Sequence, residues 1–276
     1  MNAFSIVDTC RVCAVETLPV LDIGQQALTG TFPRPGEVVP SGPMQLRWCP
    51  TCTLVQLGAD YASDLMYGEN YGYRSGLNNS MVRHLANVAD RIKRQLPAGR
   101  TVTLLDVGSN DGTFLRNFAD LPSHRVGMDP TAAKFADYYD PQAVIVPELF
   151  SHEMFTANAP GQADAITTIS MFYDLPDPVD FARQVSRCLA PDGLWYLEQS
   201  YMPSMLRMNS YDTICHEHIE YYSMDSLSAI LSRAGMRIIE VRFNRVNGGS
   251  FAVTAVHESS SRRGDEPLLE WFRSQE

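Results

Sequence analysis

The apolar positions change their spacing along the chain. Leu77, Met81, Leu85, Val88, Ile92 and Leu96 recur every three or four residues, which lines one face of an amphipathic helix. After Pro97-Ala98-Gly99 the pattern becomes short apolar runs alternating with helical segments. Runs at 102–107, 125–129, 143–146, 163–169 and 193–198 predict strands, the last introduced by the turn Ala190-Pro191-Asp192-Gly193. Helices are predicted over 112–118, after Pro178, and over 226–234, where Gly235 suits a C-terminal cap. Segments 236–243 and 250–257 are strand-like, with Asn247-Gly248-Gly249 as a hairpin turn between them. This order predicts an α/β fold with a mainly parallel, doubly wound sheet and an antiparallel edge made by the closing hairpin. The core is expected to be complete by about His257. The polar tail turns weakly helical around 268–272 and stops in mid-pattern, as though something followed.

Residues 1–58 look different. They hold Cys10-x-x-Cys13 and Cys49-x-x-Cys52 on either side of a Pro/Gly-rich stretch, 33–43. So short a zone buries little core and needs a staple. Two such pairs supply four thiolates for tetrahedral Zn²⁺ and leave no open position, so the site reads as structural. The 35 residues between the pairs (positions 14–48) suit a ribbon with a long inserted loop. Disulfides or a redox pair are the alternative reading. Cys188 falls on an apolar helical face and reads as core.

Composition narrows the function. The 276 residues carry a net charge of −10, which disfavours tight binding to a phosphate backbone. No basic, apolar leader opens the chain, and no run of 18 apolar residues occurs, so the chain is expected to be cytoplasmic, with reduced cysteines.

The most informative stretch is Leu105-Asp106-Val107-Gly108-Ser109-Asn110-Asp111-Gly112-Thr113-Phe114-Leu115, a buried strand running into a glycine-punctuated turn. Glycines let a ligand approach the backbone. Asn110 and Asp111 stand where a pyrophosphate would come in a G-x-G-x-x-G site, and their polarity favours a cofactor with an amino-acid end and a cationic centre. Asp129 ends the second strand, where an acid can accept ribose hydroxyls. Glu148, after the third strand, could reach an adenine amino group or simply be solvated. This D-x-G-x-x-x-G loop with its downstream acid resembles the class I S-adenosylmethionine (SAM)-dependent methyltransferases; an NAD fold, or a sheet without cofactor, is the alternative.

Further stretches narrow the resemblance. Tyr71-Gly72-Tyr73-Arg74-Ser75, the block Tyr211-Asp212-Thr213-Ile214-Cys215-His216-Glu217-His218 with Tyr221-Tyr222-Ser223, and Asn247-Gly248-Gly249-Ser250 resemble elements of the zinc-binding sugar C-methyltransferases. The likeness spans roughly 8–257. It implies a Rossmann-like, seven-stranded class I methyltransferase core over 99–258. A zinc-binding module (1–58) and a connecting helical segment (59–98) would precede it, and 259–276 would begin a truncated C-terminal domain. It also implies SAM as cofactor, held by Asp106, Gly108, Asn110, Asp111, Gly112, Asp129, Glu148 and Tyr71, and structural zinc on the four cysteines. A nucleotide-linked keto-deoxysugar would be the substrate, with His218 as base and Glu217 or Tyr73 positioning the sugar. Asp174 stands where many members have His, and Cys215 where many have Tyr. Methylation on oxygen or nitrogen of another small metabolite, a partner-dependent form without turnover, and an H-x-H metal pair at His216 and His218 are the competing readings.

Overall fold

The computed structural model describes residues 4–31, 33–62 and 72–276. The first zone contains β1 (Phe4–Ile6), β2 (Leu18–Ala27), β3 (Ser41–Trp48), β4 (Val55–Leu57) and β5 (Ala59–Tyr61). The expected inserted loop is therefore largely a β-hairpin, β2 pairing antiparallel with β3. In β3 the buried residues Gly42, Met44 and Leu46 alternate with less buried ones, a period of two that the Pro and Gly residues obscure in the sequence. All ten residues of β2 are exposed, so no alternation marks it.

Helix α1 (Asn79–Lys93) follows, capped by the Asn78 side chain, which accepts from the Ser80 N–H. It buries Leu85, Val88, Ala89 and Ile92. Leu77 precedes the cap and is 69% exposed, so the apolar stripe starts at Met81, four residues later than expected. His84 Nε2 lies 2.6 Å from Glu198 Oε1, which pins the helix to the main sheet.

That sheet contains β6 (Val102–Val107), β7 (Ser123–Met128), β8 (Ala143–Val146), β9 (Ala163–Ile169) and β10 (Leu189–Ser200). Between these strands lie α2 (His152–Asn158) and α3 (Pro178–Cys188), the latter capped by Asp177 with Pro178 in its first turn. Beyond β10 come α4 (Met202–Met208), β11 (Glu220–Tyr221), α5 (Met224–Arg233), β12 (Met236–Asn244), β13 (Ser250–His257) and α6 (Glu266–Arg273). The seven strands are ordered β12-β13-β10-β9-β6-β7-β8. Strand β13 is antiparallel to both its neighbours and the remaining pairs are parallel. This is the expected seven-stranded α/β sheet with the closing hairpin at one edge, β13 as its inner strand and β12 outermost. The near-continuous burial of β13 fits an interior strand.

Three local expectations change. The segment 112–118 forms only a 3₁₀ turn, Leu115–Phe118, and Gly112 has φ +69°. There the Asn117 amide donates to the Thr113 and Phe114 carbonyls, in place of a regular helical ladder. The turn expected at 190–193 is a register shift inside β10. The core also extends past His257: Leu269 on α6 is buried, and the Phe272 ring lies 5.0 Å from that of Phe243.

Glu198 is fully buried and shared between His84 and the Tyr196 hydroxyl. Substituting His84→Ala strands one carboxylate oxygen, at a cost of about 1–3 kcal/mol. Urea unfolding should show that loss, and the double variant with Glu198→Gln should recover part of it.

Candidate functional site

The four cysteines converge. The Sγ atoms of Cys10 and Cys52 lie 3.5 Å apart, Cys10 and Cys13 3.5 Å, and Cys13 and Cys49 3.4 Å. All four thiols are free and mutually within 4.8 Å. That is a four-way cluster, too open for S–S bonds of about 2.05 Å and close to the edge of about 3.8 Å that Zn–S bonds of about 2.3 Å impose on a tetrahedron. The two pairs share one turn, Ala14 N–H donating to the Cys10 carbonyl at 2.9 Å and Thr53 N–H to the Cys49 carbonyl at 3.0 Å. Val12 N–H points to Cys10 Sγ at 3.4 Å and Cys52 N–H to Cys49 Sγ at 3.5 Å. Each pair is followed by a left-handed residue, Ala14 at φ 57° and Thr53 at φ 61°. The donor set and its buried N–H···S contacts fit structural zinc.

The module is joined to the core by a strand. Its four-stranded sheet has the order β11-β4-β3-β2, with Glu220 opposite Gln56 and Tyr221 opposite Val55. Strand β11 directly follows the His-Glu-His block, so the module's sheet sets where that block lies. A turn bonding His218 N–H to the Cys215 carbonyl sends the two imidazoles apart. His216 is buried under the module, its Nδ1 3.3 Å from Thr29 N and its ring edge-on to Tyr61 at 4.7 Å. His218 faces a different space. The two histidines therefore have different surroundings, and among the described residues the group of three or more ligand atoms close enough to share a metal is the four cysteines.

That space is a cavity of about 820 Å³ outside the C-terminal ends of β6, β7 and β9, the place where open α/β sheets bind ligands. On its floor Asp106 is buried and accepts from Thr167 Oγ1 at 2.6 Å. Burial first, and the nearby charge of Asp129 second, push its carboxyl up to about 7, against the Thr167 hydrogen bond. Gly108 lines the wall at φ +73° with Met171 against it; a Cβ here would lie 3.0 Å from the Met171 side chain. Asp129 Oδ2 accepts from Asn110 N–H at 2.9 Å, and Oδ1 accepts from Thr131 N–H and Oγ1, both at 2.6 Å. Spare acceptor capacity remains on Oδ2.

The two polar loop residues divide. Asn110 lines the cavity, but its side chain accepts from Ser75 N–H at 2.9 Å and donates to the Tyr73 carbonyl at 3.0 Å. Asp111 lies behind the wall, accepting from Gly76 N–H at 3.0 Å and Thr113 N–H at 3.1 Å. Gly112 also lies behind it, where a Cβ would meet the Tyr139 ring at 2.6 Å. Together Asn110 and Asp111 clamp 73–76 onto the loop. Glu148 is exposed, and its successors Leu149 and Phe150 line the cavity instead. Tyr71 lies outside the described residues.

Tyr73, Glu217 and His218 share this cavity with Asp106 and Asp129. His218 Nδ1 lies 3.0 Å from the Thr213 carbonyl. Only a protonated Nδ1 can donate there, which leaves the lone pair on Nε2. Burial lowers the imidazole pKa below its usual value, against that hydrogen bond. Burial raises the Glu217 carboxyl, and Gly30 of the module packs so close that a Cβ would lie 2.5 Å from the Glu217 carboxylate. Sequence reasoning missed Thr213 as the group orienting His218, and Tyr173, whose ring lies 4.1 Å from it. It also missed Asn247, which lines the cavity and donates to Ser170 Oγ at 3.2 Å. An Asn before two glycines, a residue type that tolerates the left-handed φ of 50° found here, was the available signal.

Comparison with known proteins gives two family matches: a methyltransferase domain over 81–241 and a zinc binding domain over 10–67. The C-methyltransferase NovU of Streptomyces niveus is 29% identical over 98% of this chain, which spans 66% of that protein's length. Among solved structures, a Haloferax volcanii methyltransferase complexed with the Trm112 activator matches 66% of this chain and 94% of its own, with a TM-score of 0.51 and 16% identity. The plantazolicin methyltransferase BpumL, solved with S-adenosylhomocysteine, matches 66% of this chain and 87% of its own, with a TM-score of 0.51 and 15% identity. These two likenesses concern the fold. No helix among the described residues is long and apolar enough to cross a membrane.

Two outcomes are expected. Cys52→Ser should lose the bound zinc, read by metal analysis, and methyl transfer should fall with it, because β4 no longer holds β11. A cationic sulfonium ligand favours ionised Asp106, so its binding must expel the proton that the free carboxyl holds below about pH 7. Calorimetric affinity for SAM should therefore fall as pH drops through 7, by up to about tenfold per unit, and plateau above it. Asp106→Asn should flatten the profile.

Proposed function

Because the chain belongs to the methyltransferase-domain family and uses SAM, we propose that it methylates carbon beside the ketone of a nucleotide-linked keto-deoxysugar. The observation that carries this reading is His218, which lines the same cavity as Asp106 and Asp129 and whose Nδ1 is held by the Thr213 carbonyl, leaving the lone pair on Nε2. The relative named a C-methyltransferase and the resemblance of the His-Glu-His block support it.

Carbon beside a ketone becomes nucleophilic only when its α-proton is removed. His218 Nε2 takes that proton, and Thr213 holds the resulting imidazolium through Nδ1–H. The depressed pKa keeps the imidazole neutral, and so able to act as a base, at pH 7. Tyr73 has its phenol pKa raised, mainly by burial, and remains a hydrogen-bond donor suited to the enolate oxygen. Glu217, braced by Gly30, orients the sugar. Bound SAM supplies the electrophilic methyl group. Holding donor and acceptor in line contributes alongside the base.

His218→Asn should lower the rate of methyl transfer by about 10²–10⁴-fold while SAM binding persists. The α-proton should exchange with deuterated solvent in the parent protein, but not in the variant. In the parent, the rate should rise through a pKa below the ordinary imidazole value and be flat at neutral pH. Methyl transfer without α-proton exchange would place the accepting atom on oxygen or nitrogen instead.

A further inference from the structure

We propose that Thr29 of the zinc module is a positioning residue: acting through His216, it holds the Glu217 carboxylate at its place in the cavity. This deepens the reading above and rests on it for the role of Glu217 against the sugar.

The module meets the His-Glu-His block at two separate places. One is the pairing of β4 with β11, which follows the block. The other is the turn 28–31, beyond the end of β2, which meets the block itself. There Thr29 holds both the backbone and the ring of His216. Its Oγ1 accepts the His216 backbone N–H at 2.9 Å, and its own N–H donates to His216 Nδ1 at 3.3 Å. An accepting Nδ1 leaves the ring proton on Nε2, which lies 3.5 Å from the Gly42 carbonyl of β3. With Tyr61 edge-on to the buried ring, the whole side chain is spent inside the module.

The turn has supports of its own. Leu28 is buried, its N–H donates to the Pro40 carbonyl at 2.8 Å, and Thr31 Oγ1 donates to the Leu28 carbonyl at 3.1 Å. Thr29 therefore acts from a fixed base. One residue further along each segment, Gly30 meets Glu217, with no room for a Cβ between them. Thr29 with His216 and Gly30 with Glu217 thus make two contacts in step.

Glu217 has no other hold. Among the described residues no hydrogen bond or ion pair reaches its carboxylate, and burial is the one cause acting on its pKa. His218 is fixed from elsewhere, by the Thr213 carbonyl and the Tyr173 ring. The module therefore places the acid of the block, and the main domain places the imidazole. Removing the Thr29 hydroxyl frees Glu217 and leaves the base where it was. Sugar binding then weakens while proton removal continues.

The test uses the full, zinc-loaded chain. Thr29→Val keeps the shape and the backbone N–H but removes the acceptor for His216 N–H, and Thr29→Ser restores it. The Glu217 carboxyl is followed by NMR in protein labelled with ¹³C at its glutamate carboxyls, the signal being assigned by its loss in Glu217→Gln. In the parent it titrates above the ordinary carboxylate value. In Thr29→Val it should move back towards that value, and in Thr29→Ser it should match the parent. With a nucleotide-linked keto-deoxysugar as probe, KM should rise about two- to tenfold in Thr29→Val, the range of one hydrogen bond. The kcat, α-proton exchange at saturation and zinc content should stay unchanged. An unmoved Glu217 signal, a fall in kcat at constant KM, no rescue by serine, or zinc lost from Thr29→Val would overturn the proposal. A shifted signal in a protein that turns over no keto sugar counts against carbon methylation and leaves the positioning role standing.

Discussion

Strand β11 is only two residues long, yet the two halves of the molecule depend on its pairing with β4. On one side, β4 begins three residues after the last cysteine of the metal cluster. On the other, Ile219 carries a backbone bond to Leu57 of the module and another to Tyr173, in the 3₁₀ turn that follows β9 of the main sheet. His218 is the residue before it. The metal cluster thus acts on the cavity at a distance, by holding the sheet that fixes the backbone of the His-Glu-His block. A small zone that buries little core cannot be rigid without its metal. This explains why a closed, structural site accompanies a cavity it does not line.

The cofactor loop is held in a comparable way. Asn110 and Asp111 spend their side chains on the backbone of 73–76, so the loop and the segment carrying Tyr73 form one wall. Tyr139 closes the loop from behind, its hydroxyl donating to the Asn110 carbonyl and bonded to Ser109. Asp106 and Asp129 retain charge or acceptor capacity toward the cavity. A strongly acidic lining suits a cationic methyl donor.

Much of this was legible in the sequence. The main-sheet strands follow from apolar runs of the right length, and β13 was bounded to the residue. The cysteine pairs named the metal cluster because their spacing is a local property of two knuckles with twin hydrogen bonding. The misread elements share a cause. Gly112 and Asn117 replaced a helix with a 3₁₀ turn through side-chain and backbone detail that hydrophobic periodicity ignores. Strand β2, exposed along its whole length, carries no burial pattern to read. Leu77 fits the helical period but lies outside the Asn78 cap.

By itself, then, the chain determined the order and type of its main elements, the cysteine quartet and the glycine turn, since each is encoded within a few consecutive residues. Tertiary structure alone decided where the side chains of that turn and of the His-Glu-His block are spent. His216 and His218 are near neighbours in the chain, yet one lies against Thr29, 187 positions away, and the other against Tyr173. Asp111 faces Gly76 rather than the cavity. No local period records such partners, because each bond closes only when distant segments have already been packed together by the burial of their apolar faces.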